Sequence, residues 1–177
     1  MRQRPEFRPA QAEEIARAFK AEKVQYLFVG KSGAILLGYP GTTQDVYIFP
    51  ERSEANGRRI VVALRKIGFE IGEELERGIM KGNDFVQIKD GPFDVNLVFT
   101  PDAISSFADA KARGLQEGIF QVANLRDIIA SKRATGRKKD EIELPLLESF
   151  RADWEKRHPV RLQSASNIAA RKSRGRK

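Results

Sequence analysis

Apolar residues recur along this chain in two rhythms, and each predicts a different set of elements. Helical spacing comes first, with Ala12, Ile15 and Phe19 forming a stripe over residues 9–20 behind a first-turn proline. Ile60, Leu64 and Ile67 repeat it after Ser53, a plausible N-cap, and the helix ends at Gly68. Ile104, Phe107 and Ala108 mark a helix over 101–112, and Leu125, Ile128 and Ile129 mark one over 125–133 behind an Asn124/Asp127 capping box. Leu146, Leu147, Phe150 and Trp154 give a last helix that Pro145 starts and that runs to 156. Between these lie strand signals. Residues 24–29 read as a buried strand, apolar except for Gln25. Residues 44–49 alternate, with Val46 and Ile48 on one face and Asp45, Tyr47 and Phe49 on the other. Residues 85–89 and 93–99 flank Asp90-Gly91-Pro92 as a hairpin. In its second arm Phe93, Val95, Leu97 and Phe99 read as core, so Asp94 points to the other face. Short strands are expected at 69–71 and 119–122, and residues 73–80 read as a turn of helix on an insert. The pattern predicts an α/β (α+β) chain, a small mixed β-sheet backed by helices and followed by a helical C-terminal part.

The stretch 28–49 carries the chemistry. The first strand runs into Gly30-Lys31-Ser32, a short helix over 33–37 stops at Gly38, and Tyr39-Pro40-Gly41 turns the chain toward Thr42-Thr43 and Asp45. A helix mouth with free N–H groups attracts phosphate, and a carboxylate beside it can hold the cation that travels with phosphate. Gly-Lys-Ser is not a Walker A loop, because Gln25 stands where that motif needs glycine. Taken singly, each candidate has a plainer reading. Gly30 is a tight turn, Asp45 a solvated strand carboxylate, Asp94 a surface residue or a partner for Lys89, and residues 137–139 a solvated basic turn. Lys132 continues the apolar face of its helix, so it must snorkel, pair with an anion, or point into a cleft.

In order and spacing the stretch resembles the nucleotidyltransferase superfamily built on the DNA-polymerase-beta-like core, and within it the minimal, stand-alone transferases that include abortive-infection toxins. The residues that carry the resemblance are Gly30, Gly33-Ala34, Gly38, Pro40, Thr43 and Asp45, then Leu125, Asp127, Lys132, Arg137, Lys139 and Asp140. Three positions depart from the pattern: Lys31 replaces a usual glycine, Gly41 a frequent arginine, and Tyr47 the second Asp of Asp-x-Asp. The resemblance implies transfer of an NMP from an NTP, with Mg²⁺ or Mn²⁺ held by three carboxylates. Asp45 and Asp94 would be the first and third of these, with Asp94 also the base. Gly30, Lys31 and Ser32 would meet the triphosphate, Thr43 and Tyr47 would line the nucleotide site, and Lys132 and Arg137 would assist. A neutral phenol is a poor Mg²⁺ ligand, so Tyr47 implies impaired transfer, or a member that binds nucleotide or RNA without turnover. The acceptor would be RNA or a protein hydroxyl, and a cognate toxin or antitoxin is an implied partner.

Composition narrows this further. The net charge of +8 is concentrated at one end, where residues 157–177 hold seven Lys and Arg and no acid. The chain therefore divides into a near-neutral domain, 1–156 (core motif 24–99, helical part 101–156), and a basic tail, 157–177. That tail is either a solubilising end or an electrostatic arm for RNA. With no cysteine there is no thiolate metal site, and the single histidine, His158, near the basic tail, gives no support to histidine metal sites or to Ser-His or Cys-His catalysis. No apolar run approaches a membrane span, residues 1–8 do not read as a signal peptide, and a cytoplasmic protein is expected.

Overall fold

The structure is a computed structural model, and it describes residues 6–159. Both terminal stretches outside that range, including most of the basic tail, lie beyond the described residues. Six strands form one mixed sheet in the order β3-β4-β2-β1-β6-β5. They are β1 (Tyr26–Val29), β2 (Val46–Pro50), β3 (Phe85–Ile88), β4 (Val95–Val98), β5 (Leu115–Glu117) and β6 (Phe120–Val122). The helices are α1 (Pro9–Ala21), α2 (Gly30–Leu36), α3 (Glu54–Lys66), α4 (Glu73–Lys81), α5 (Phe107–Ala112), α6 (Leu125–Thr135) and α7 (Lys138–Arg157). The α/β reading of the sequence therefore holds.

Register fixes what each face of the sheet does. β1 and β2 are antiparallel, pairing Phe28 with Ile48 and Val29 with Tyr47. β2 and β4 are parallel, pairing Val46 with Val95, Tyr47 with Asn96 and Ile48 with Leu97. Side chains alternate along each strand, so Phe28, Ile48, Val46, Val95 and Leu97 share one face, and each is essentially fully buried. Phe19 of α1 packs edge-on against Tyr26 on that face, with ring centroids 4.8 Å apart. The opposite face carries Val29, Tyr47, Asn96 and Val98. Part of it is covered by α5, whose Phe107 ring meets Phe49 at 5.3 Å. The rest is open.

One buried polar residue closes the end of the sheet away from the open face. Asn56 of α3 is fully buried, and its Oδ1 accepts from the Gln25 N–H at 2.8 Å. Its Nδ2 donates to the carbonyls of Gln25 and Glu51, both at 2.9 Å. Entry to β1 and exit from β2 are thereby tied to one helix with every bond satisfied.

Several element boundaries differ from the sequence expectation. α2 begins at Gly30 rather than 33, so the glycine turn is the first residue of the helix. Residues 69–71 form no strand, and 73–80 is most of a complete helix, α4. The helix expected over 101–112 is confined to α5, capped by the Ser106 side chain, and Ala110 rather than Ala108 is its buried alanine. Pro101 opens a loop instead, in which Ala103 has positive φ. β5 was not expected and pairs β6 as an antiparallel edge. Asn124 caps α6 as expected, but the Asp127 carboxylate is turned to Arg113, at 3.0 and 3.2 Å, rather than back to the cap. The last helix starts at Lys138, places Pro145 in its interior, and leaves Leu146 exposed while Leu147 and Trp154 are buried.

Candidate functional site

A cavity of about 660 Å³ opens on the second face of the sheet, where β1, β2 and α2 meet α6 and α7. Of the residues singled out from sequence, Gly30, Lys31, Thr43, Asp45, Tyr47, Lys132 and Arg137 all line it, joined by Lys139, Asp140 and Glu143. Residues brought from positions 30, 45 and 132 thus meet because α2 packs against β1, β2 and α6. The far wall is formed by Phe85, Val98 and the loop through Asp102 and Ile104.

The glycine turn needs glycine. Gly30 has φ of +63°, where a Cβ is strained. The Tyr47 side chain lies over it, and a Cβ on Gly30 would be 3.4 Å from both Cβ and Cγ of Tyr47. Tyr47 is half-buried, and its hydroxyl is held above its ordinary pKa of 10.0 by burial and then by Asp45, against an opposing effect of Arg137. The phenol is therefore neutral across the physiological range.

Ser32 does not line the cavity. It is fully buried, and its Oγ donates to the Val29 carbonyl and accepts from the Tyr47 N–H, both at 3.0 Å. That hydroxyl braces α2 against β2. Asp94 precedes β4, beside Asp45 in the register that places Val46 opposite Val95. It is half-buried and does not line the cavity among the described residues.

Lys31 and Lys132 converge on a side chain that sequence reasoning missed. Glu143 of α7 accepts from Lys31 through Oε1 and from Lys132 through Oε2, the latter at 2.6 Å. Asp140 lies 3.6 Å from Lys132 and 3.2 Å from Arg137, and accepts from the Thr135 hydroxyl at 2.7 Å. Burial alone would raise the Glu143 pKa, but hydrogen bonds from Lys132 and Lys31 outweigh it and hold the carboxyl below its ordinary 4.5. Starting the last helix at Pro145 had put Glu143 in a loop. The spacing of Asp140 and Glu143, three apart on one helix face, was the available signal.

Gly41 explains how Lys31 fits. A Cβ on Gly41 would fall 3.1 Å from Lys31 Cε and 2.9 Å from Tyr39 Cε1. The space beside position 41, where the resemblance places an arginine, is filled by the stem of Lys31. The two departures from the motif, Lys31 and Gly41, thus lie side by side.

The donor set does not fit a pair of divalent ions. Hard cations such as Mg²⁺ require several anionic oxygens, and position 47 offers a neutral phenol. Among the described residues no three Asp, Glu, His or Cys side chains gather as a metal site. The two carboxylates nearest the cations, Asp140 and Glu143, are already bound to them.

No family model matches the sequence, and no curated protein matches it. Solved structures do. A Thermotoga maritima protein assigned as a nucleotidyltransferase is 16% identical, with 78% of this chain and 92% of that chain covered at a TM-score of 0.51. ANT(2″)-Ia in complex with adenylyl-2″-tobramycin is 13% identical, covering 84% of this chain and 97% of that one at 0.54. The solution structure of the same antibiotic-resistance factor is also 13% identical, covering 89% and 96% at 0.52. These likenesses lie in the fold, and over most of its length the chain has the nucleotidyltransferase fold.

Proposed function

We propose that this protein binds a nucleoside triphosphate in the cleft above Gly30, and that nucleotidyl transfer, the chemistry of its fold, is attenuated by Tyr47. The observation that carries the reading is the convergence of Gly30, Lys31, Lys132 and Arg137 on one cavity with Asp45. Two lysines and an arginine from three elements supply the charge-assisted hydrogen bonds that phosphate oxygens take. The Tyr47 ring, beside the glycine turn, offers a face on which a base or sugar can stack. An adenylylated molecule bound to one structural neighbour supports nucleotidyl transfer as the class of chemistry. RNA or a protein hydroxyl is the acceptor class we favour. A cognate toxin or antitoxin as partner rests on the sequence resemblance alone.

Tyr47→Asp is the direct test. Asp45 immediately precedes β2 and its charge acts on the Tyr47 hydroxyl, so the substitution brings a second carboxylate near Asp45. Wild type and Tyr47→Asp are incubated with each labelled NTP, Mg²⁺ or Mn²⁺, and total RNA or protein. The expected result is nucleotide binding by both and transfer raised by orders of magnitude in the variant, each tenfold being about 1.4 kcal/mol of barrier. Robust transfer by wild type that Asp94→Ala abolishes, with no gain from Tyr47→Asp, would show that two carboxylates suffice. Absence of NTP binding in both folded proteins would leave the fold without this function.

The basic tail enters as a second arm of the same proposal. Deleting residues 161–177 removes six of its seven Lys and Arg. RNA affinity should fall and its salt dependence flatten, because the slope follows the number of phosphates neutralised. Identical affinity and slope would make the tail a solubiliser.

A further inference from the structure

Lys31 and Lys132 enter the cleft from α2 and α6 and end on the same carboxylate. Each Glu143 oxygen holds one ammonium group. Asp140, one turn earlier on α7, occupies the remaining side of Lys132 and reaches Arg137. These ion pairs are largely shielded from water, with the Lys132 side chain 14% exposed and Glu143 18%. A carboxylate bridging two ammonium groups presents them with what one phosphate would present, anionic oxygens in a fixed fork.

We propose that Glu143 is an internal stand-in for a phosphate group, and that a polyphosphate binds this cleft by displacing it from Lys31 and Lys132. The inference rests on the nucleotide reading of the cleft and assigns Glu143 a role that the reading does not contain. With the cleft empty, Glu143 neutralises two neighbouring like charges. A ligand must outcompete it, so ligands with few anionic oxygens are rejected. Glu143 therefore sets a threshold on the number of phosphates, favouring a triphosphate over a monophosphate or free phosphate. Asp140 stays in place during the exchange, because Thr135 and Arg137 hold it independently of Glu143.

The test is calorimetric titration of inorganic tripolyphosphate, and separately of orthophosphate, at fixed ionic strength. The proteins are wild type, Glu143→Gln and Glu148→Gln. Gln keeps the size of Glu143 while removing its charge. Glu148 joins Arg133 to Arg151 and does not line the cleft, so its variant has the same net-charge change. Melting temperatures recorded alongside confirm that each variant is folded. The expected result is about tenfold tighter tripolyphosphate binding by Glu143→Gln, a smaller preference over orthophosphate, and no change for Glu148→Gln. Unchanged or weaker binding by Glu143→Gln, with measurable binding by wild type, would overturn the inference and leave the nucleotide reading standing. Equal tightening by Glu148→Gln would also overturn it, since net charge alone would then be responsible. No binding by any of the three would remove the nucleotide reading and the inference with it.

Discussion

On one side of the sheet Phe28, Ile48, Val95 and Leu97 form a single apolar core with the buried residues of α1 and α3. On the other side α7, twenty residues long, buries only Leu147, Trp154 and Asp140. Leu144 and Phe150 add partly buried apolar contacts, Phe150 meeting the Tyr39 ring at 5.5 Å, and the remaining ties are charged. Arg126 makes paired bonds to Glu155 at 2.8 and 2.9 Å, Arg133 reaches Glu148, and Glu143 holds two lysines, while Arg151 links Glu148 and Glu155 within the helix. Burying one aliphatic side chain fully is worth about 1.5–3 kcal/mol, whereas exposed ion pairs such as Arg126–Glu155 and Arg133–Glu148 are worth about 0–1 kcal/mol each. The first region is therefore the fixed frame. The second is an attachment whose strength depends on salt, on pH, and on any anion that reaches the cleft. A site that must admit a polyanion is better served by the second kind of contact.

The comparison breaks most severely in the core. Ile48→Ala should cost about 2–5 kcal/mol in denaturant unfolding, because no side chain can collapse into the space between β1 and β4. That loss should be the same at 0.1 and 1 M salt. Acid should act on the α7 side instead. Glu143, Glu148 and Glu155 all have folded pKa values below their ordinary 4.5. Their contribution is present in full above pH 4.5 and is lost as pH falls through the lowered values. Unfolding curves at pH 7, 4.5 and 3 should show stability falling mainly below 4.5, and Glu143→Gln should reduce that fall.

Lys132→Met separates the two regions at one residue. Met keeps most of the stem, and Glu143 and Asp140 keep Lys31 and Arg137 as partners, so the cost should be about 1 kcal/mol. Binding of ATP or tripolyphosphate should weaken by about tenfold or more. A large loss of melting temperature with unchanged affinity would make Lys132 a structural ion-pair residue only. The smallest effect belongs to Arg126→Ala, at about 0.2–1 kcal/mol, vanishing in 1 M salt. Trp154, the only tryptophan, lies on α7 and reports by fluorescence whether that helix stays docked.

Much of the frame could be read from the chain because its signals are local. Ser53 caps α3 by accepting from the Asn56 N–H at 3.1 Å, and the 85–99 hairpin pairs Val86 with Leu97. The period-2 pattern placed Tyr47 opposite Val46 correctly. What failed was decided at a distance. Pro145 reads as a helix start, yet tertiary contacts through Leu147 and the preceding carboxylates carry α7 through it. Ile104 and Phe107 look like one helical stripe, but Ser106 caps between them. The cleft was legible as a set of residues, with Gly30, Asp45, Tyr47, Lys132 and Arg137 brought together. Its electrostatic state was not, because Glu143 lies 112 positions from Lys31 and neither shows its partner locally. Ser32 was equally opaque, since a hydroxyl after Gly-Lys reads as a ligand contact until its two internal bonds are seen.

Pro145 has a further consequence for α7. It has no N–H, so the carbonyl of Glu141 lacks the donor that would continue the helix ladder. That gap falls between Glu143 and Asp140, which face the cleft, and Leu147 and Trp154, which anchor the helix. The ladder is thus one bond short beside Glu143, on the side of the helix that meets the cleft, and amide exchange should be faster over 138–144 than over 147–156.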